Sequence, residues 1–135
     1  MTDIGSVIRY SMQNLDANRF IGNRRVIDVS GDGSSSVDGS DKARDDAIAR
    51  DITINGLVIF NREYDLGELA EIDLIQHYTT KVIGGNGAFL MTAHGFEDFR
   101  KAILNKLIKE ILGTGLAGSE PSLSNQNSIF VPTAN

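Results

Sequence analysis

The residue best placed for chemistry in this chain is the aspartate of the triplet Gly31-Asp32-Gly33. The triplet follows a short β-branched segment, residues 25–30, which favours a buried strand. The two glycines let the backbone turn sharply and approach a ligand closely. In open α/β sheets, ligands bind beyond the carboxyl ends of the strands. We therefore predict that Asp32 contacts a ligand, and the alternative is that its side chain only caps the turn.

Other polar segments fit no catalytic pattern. Residues 84–87 are rich in glycine but precede a strand and include no P-loop lysine, so we predict a tight turn. His77 and His94 do not have the spacing of metal ligands. The sequence has no Gly-x-Ser-x-Gly, which excludes the nucleophile elbow of an esterase. We expect the polar loop at 34–40 to be solvated and to cap the next helix.

Alternating helices and strands must position Asp32. Apolar spacing predicts helices at about residues 2–15, 41–50, 68–79 and 96–112, and strands at about 25–30, 52–60 and 88–93. Alternation of this kind is typical of a parallel sheet with helices on both faces. The predicted fold class is therefore α/β, a partial doubly wound sheet of about three strands. We expect one domain over residues 1–113 and a flexible tail over residues 114–135.

Two predictions concern packing. Asp28 lies inside the first predicted strand, so we expect its carboxylate to be satisfied by backbone, Arg24, Arg25 or Lys81. The last helix carries an apolar stripe that we expect to lie in the core: Phe96, Phe99, Ile103, Leu107 and Ile111.

Taken together, three segments resemble a bacterial family of uncharacterised proteins that carries a von Willebrand factor A-like domain. They are RRVIDVSGDG at 24–33, ITINGL at 52–57 and VIGGNGAF at 82–89; FEDFRKAI at 96–103 also fits. The resemblance covers about residues 2–112. It implies a doubly wound sheet with a Mg²⁺ adhesion site at its carboxyl edge, where the cation binds a carboxylate of a protein partner. Asp32 and Thr2 match the third-loop and second-loop metal ligands of such a site.

The match to this pattern is partial. The first metal loop, Asp-x-Ser-x-Ser, has no counterpart, because Asp28-Val29-Ser30 lies inside the predicted strand. The chain thus looks like the carboxyl half of the domain, and the strand that would pair with residues 26–30 is missing. We expect this edge to pair with another copy in a homo-oligomer, to be covered by the tail, or to leave the fragment poorly stable.

Composition limits the classes of partner that this protein is expected to bind. A net charge of −5 argues against nucleic acid and suits a cation or a protein partner. No apolar run is long enough to span a membrane, and the first residues show no signal peptide. The compartment stays open, although the resemblance implies that full-length relatives are exported.

These features favour a non-enzymatic binding module that derives from a Mg²⁺ adhesion domain and has an incomplete metal site. One alternative is a metal-independent assembly fragment that associates through the exposed strand edge. Another is a metal-dependent hydrolase, which would need further carboxylates near Asp32, for which Asp28 and Asp38 are the candidates. Neither a catalytic residue nor an organic cofactor is assigned.

Overall fold

The structure, a computed structural model, describes residues 3–34, 39–60, 67–112 and 131–132. The elements in chain order are α1 (Ile4–Ala17), β1 (Arg25–Gly31), α2 (Ser40–Ile48), β2 (Ile52–Phe60), α3 (Glu68–His77), β3 (Phe89–His94), α4 (Gly95–Leu112) and β4 (Val131–Pro132). A π-helical turn over Tyr78–Val82 follows α3 directly. Each predicted helix and strand is present, and its ends shift by no more than about two residues.

The sheet has the order β1-β2-β3-β4. β1, β2 and β3 are parallel, which confirms the predicted α/β class, and the two-residue β4 pairs antiparallel with the outer edge of β3. β2 is buried along nearly its whole length because it lies between two strands and under helices on both faces. Most of the predicted tail, residues 114–130 and 133–135, lies outside the described residues.

The two faces of the sheet bury different clusters. One face packs against α1, α2, α3 and the π-helical turn through a large apolar cluster that includes Ile8, Ile54 and Tyr78. We call the other face the α4 face, because α4 lies over its β2 and β3 side chains: Leu57, Phe89, Met91 and Ala93. The α4 face of β1 has no such cover in the described part of the chain, and Asp28 and Ser30 are exposed there.

Local features agree with the sequence. Asp3 caps α1, since its carboxylate accepts a hydrogen bond from the backbone N–H of Ser6 at 2.9 Å. The turn before β3 requires glycine, since Gly85 has φ +97° and an added Cβ would lie 2.9 Å from the Cα of Thr53. None of the helices in the described ranges combines the length and apolar character needed to cross a membrane.

The prediction that the apolar stripe of α4 lies in the core is wrong for the second half of the helix. Leu107 is 48% exposed and Ile111 is 70% exposed. The buried positions in this half of the helix include Lys106, which is only 4% exposed. The reason is the spacing of the stripe: each step of four residues turns about 40° further around the helix, so Leu107 and Ile111 lie progressively further from the buried line through Ala102 and Lys106.

Candidate functional site

Two regions of the protein could carry function, and the first is the carboxyl edge of the sheet. Asp32 directly follows β1 and is exposed, and His94 is the last residue of β3. In the sheet register, Gly31 aligns with Val58 and Phe60 aligns with His94. Because β1 and β3 are two strand spacings apart, Asp32 and His94 belong to one rim about 10 Å across.

The hydroxyl group of Tyr78 lies close to this rim, against the backbone of Gly31. A Cβ added to Gly31 would lie 2.5 Å from the Tyr78 hydroxyl oxygen, so the phenol occupies the space that a side chain would need. Burial and, as a smaller contribution, the nearby Asp32 carboxylate together raise the pKa of Tyr78 to about 12. The hydroxyl therefore stays protonated at neutral pH. The sequence indicated Tyr78 only as an apolar helix position.

His94 forms a second polar contact at the rim. Its Nε2 lies 3.3 Å from Oε2 of Glu71 on α3, and its ring packs on Phe60 with centroids 4.7 Å apart. Both side chains are about one third exposed. The sequence gave no functional signal for this pair, because Glu71 and His94 lie 23 residues apart and meet only through the fold.

The predicted metal site does not assemble from the described residues. Thr2 lies outside them, Asp3 is engaged as the α1 cap, and Asp28 lies on the α4 face. Within the described ranges, no three His, Cys, Asp or Glu side chains are grouped to hold a metal. Since Mg²⁺ takes about six oxygens, the single carboxylate of Asp32 does not fit a resident ion. The assignment of Asp32 and Thr2 as metal ligands, which the resemblance implied, is not tested by the described residues because Thr2 lies outside them.

The second region is the exposed side of β1, where Asp28 is held by partners that the sequence did not suggest. Its carboxylate forms an ion pair with the Lys106 ammonium of α4. It also accepts a hydrogen bond from Asn55 Nδ2 at 3.3 Å, and Asn55 Oδ1 accepts one from the Phe89 N–H at 3.3 Å. This polar chain links β1, β2, β3 and α4, and the predicted partners Arg24, Arg25 and Lys81 are not part of it.

The outer backbone edge of β1 is unpaired among the described residues. β1 pairs with β2 on one side, and the described part of the tail, β4, lies at the opposite edge of the sheet. Of the three outcomes expected for residues 26–30, covering by the tail is therefore not supported by Val131–Pro132. Pairing with another copy and low stability stay open.

The exposed side of α4 carries large apolar side chains. Lys109 lies on the β3 side, with its ammonium 6.0 Å from the centroid of the Phe89 ring. At 100° per residue, Leu107 lies on the opposite side of the buried line through Ala102 and Lys106. Leu104, 58% exposed, and Ile111 lie on the helix face that points away from the sheet. Exposed apolar side chains grouped in this way are typical of a protein–protein contact.

Searches among curated proteins and among solved structures give no match. A family model does match the chain, over residues 1–115, and its description is "Protein of unknown function (DUF1194)". The match spans most of the chain and every described element except β4. The chain therefore belongs to this uncharacterised domain family, DUF1194.

Proposed function

We propose that this protein is a non-enzymatic binding module that accepts a β-strand of a protein partner on the outer edge of β1. The observation that carries the proposal is the outer edge of β1, which has no strand partner among the described residues and whose α4 face none of the described helices covers. Strand addition supplies main-chain hydrogen bonds to an edge of this kind, and side-chain contacts on the adjoining face supply specificity.

The chemistry of β1 supports pairing over simple solvation. The strand has seven residues, enough for a ladder, and it contains no proline. Its only charged side chain in the middle of the strand, Asp28, is held by Lys106 and does not block the edge. Natural edges that avoid pairing carry lysine, proline or a bulge, and β1 has none of these within its bounds.

The two other candidate functions, a Mg²⁺-dependent adhesion site and a metal-dependent hydrolase, have weaker support. A Mg²⁺-dependent adhesion surface would use Asp32, yet the described residues contain no group of three His, Cys, Asp or Glu side chains that could hold a metal. The hydrolase alternative needs the same carboxylates: Asp28 is engaged by Lys106, and Asp38 lies outside the described residues. The rim pair of His94 and Glu71 lacks a nucleophile partner in the described ranges. We therefore place the binding function at the β1 edge.

The test uses a fluorescent seven-residue peptide of alternating Val and Thr, with binding followed by anisotropy. Light scattering at several protein concentrations reports self-association in parallel. In Ser30→Lys, a cation on the exposed side of β1 should weaken peptide binding at least tenfold. Gln13→Lys makes the same charge change on the exposed side of α1 and should bind like the parent protein. Peptide binding that is absent, or equal in the two variants, would overturn the proposal.

A further inference from the structure

The loop between α1 and β1 exposes two neighbouring apolar side chains at one end of the protein. Phe20 is 86% exposed and Ile21 is 101% exposed, so both side chains project into solvent. The backbone of the loop is held locally, because the Phe20 N–H donates a hydrogen bond to Oδ1 of Asn18 at 3.0 Å. The loop leads directly into β1 and therefore lies at the amino edge of the sheet, opposite the rim that carries Asp32.

Arginines flank this apolar pair. Residues 19–25 include three arginines and no acidic residue. Arg25 is engaged, because its guanidinium forms an ion pair with Asp16. Arg19 and Arg24 are exposed, and neither forms an ion pair with another residue that the structure describes. Two uncompensated positive charges therefore lie beside two exposed apolar side chains, in a chain whose net charge is −5.

Arg24 lines two adjacent hollows at this edge. The first has a volume of about 440 Å³, and Phe20 and Ile21 belong to its lining. The second has a volume of about 390 Å³, and its lining includes Asp51 and Thr53 from the start of β2. Both volumes lie in the range of small-ligand sites. A ligand that joins an apolar chain to an anionic, hydrogen-bonding head group would satisfy the apolar pair, the Arg24 cation and the Asp51 acceptor together.

The size and shape of the surface favour a lipid bilayer over a protein. A stable protein interface buries about 800 Å² on each partner. Phe20 and Ile21 together offer on the order of 300 Å² of apolar surface, and they project from the protein as a convex tip. A bilayer accepts such a tip without a complementary shape, because its acyl chains are fluid. Its anionic head groups also attract arginines that lie next to the inserted residues.

From these observations we infer that this protein binds the surface of an anionic phospholipid bilayer through the α1–β1 loop. Phe20 and Ile21 enter the boundary between head groups and acyl chains, and Arg19 and Arg24 contact the phosphates. The inference is independent of the proposed function at the outer edge of β1. Because the loop lies at the amino edge of the sheet, bilayer binding leaves the Asp32 rim facing away from the membrane.

Co-sedimentation of the full chain with vesicles tests the inference. Vesicles of phosphatidylcholine with about 30% phosphatidylglycerol should bind the protein at least tenfold better than phosphatidylcholine alone, and added salt should weaken this binding. Ile21→Ser and Arg24→Gln should each lower the binding about fivefold. The matched controls are Leu69→Ser, at an apolar side chain of α3 that is 78% exposed, and Arg100→Gln on α4, at a side chain that is 67% exposed. Both controls should bind like the parent protein.

Tryptophan fluorescence tests the insertion itself, since the chain contains no tryptophan. In Phe20→Trp, the emission should shift to shorter wavelength when phosphatidylglycerol vesicles are added. In Tyr10→Trp, at a side chain of α1 that is 68% exposed, the emission should stay unchanged.

Three results would overturn the inference: no vesicle binding, unchanged binding in Ile21→Ser, or no emission shift in Phe20→Trp. A peptide of ten glutamates that binds the parent protein but not Arg24→Gln, with no vesicle binding, would identify an acidic protein as the partner and overturn it as well. None of these measurements involves the β1 edge, so their failure is distinct from a failure of the strand-addition proposal.

Discussion

Lys106 of α4 extends beneath its helix to form an ion pair with Asp28 of the edge strand β1, and the two partners are buried to very different extents. The Lys106 side chain is 5% exposed, whereas the Asp28 side chain is 40% exposed. A buried ammonium loses far more hydration than a carboxylate that still contacts water. Loss of the ion pair therefore costs more free energy at Lys106 than at Asp28. The pair also connects α4 to a strand that this helix does not otherwise cover.

This asymmetry predicts which single substitution is worse. Asp28→Ala removes the carboxylate from a buried cation and should lower the free energy of unfolding by about 2–3 kcal/mol. Lys106→Met keeps the volume of the side chain and leaves an aspartate that water can solvate, so its cost should be about 1 kcal/mol or less. Urea denaturation of both variants and of the double variant measures the difference. The opposite order of stabilities would contradict the burial argument.

The close approach of the Tyr78 hydroxyl to Gly31 predicts that a second substitution can restore stability lost through a first one. Gly31→Ala places a methyl group where the phenol oxygen lies, and such overpacking should cost about 1–3 kcal/mol. Adding Tyr78→Phe removes that oxygen, so the double variant should recover most of the loss. Thermal denaturation of the single and double variants tests this coupling. Additive losses in the double variant would mean that the hydroxyl does not occupy the space above Gly31.

The same tyrosine predicts how stability changes at alkaline pH. Its folded-state pKa is raised to about 12 from the ordinary tyrosine value of 10.0, so the folded state holds the proton more tightly than the unfolded chain. This contribution is fully present below about pH 10 and is lost as pH rises towards 12. Ultraviolet titration should therefore show one late tyrosine, which Tyr78→Phe removes.

Asp32→Asn checks the electrostatic part of that shift. Removing the carboxylate charge should lower the pKa of Tyr78, because a neighbouring anion disfavours the phenolate. An unchanged late transition in Asp32→Asn would place the two groups further apart than the structure does.

Calorimetric titration with Mg²⁺ and Mn²⁺ tests whether the chain binds a metal at Asp32. Because no three His, Cys, Asp or Glu side chains of the described residues are grouped to hold a metal, we expect no saturable Mg²⁺ or Mn²⁺ binding in the micromolar range. Asp32→Ala and Thr2→Ala serve as paired controls. Micromolar binding by the parent chain that is lost in both variants would establish the adhesion site and contradict this expectation.

The sequence alone was sufficient for the succession of elements. The spacing of apolar residues and the glycine-rich turns between elements are local properties of the sequence. They therefore predicted the strand that ends before Gly31-Asp32-Gly33, the buried β2 and the tight turn before β3. Alternation of helix and strand then required a parallel sheet and put Asp32 at its carboxyl edge. An unpaired outer edge of β1, which the described residues show, was also expected, from the resemblance of residues 24–33 to a longer domain.

Only the tertiary structure decided which of these residues meet. The partner of Asp28 is 78 positions away on α4, and Glu71 reaches His94 from another helix; neither contact leaves a local pattern. The spacing of Leu107 and Ile111 places them in the apolar stripe of α4, but the buried line of the helix runs through Ala102 and Lys106 instead. Which line of a helix is buried depends on how the helix is rotated against the assembled sheet, so the exposure of Leu107 and Ile111 could not be predicted from the sequence.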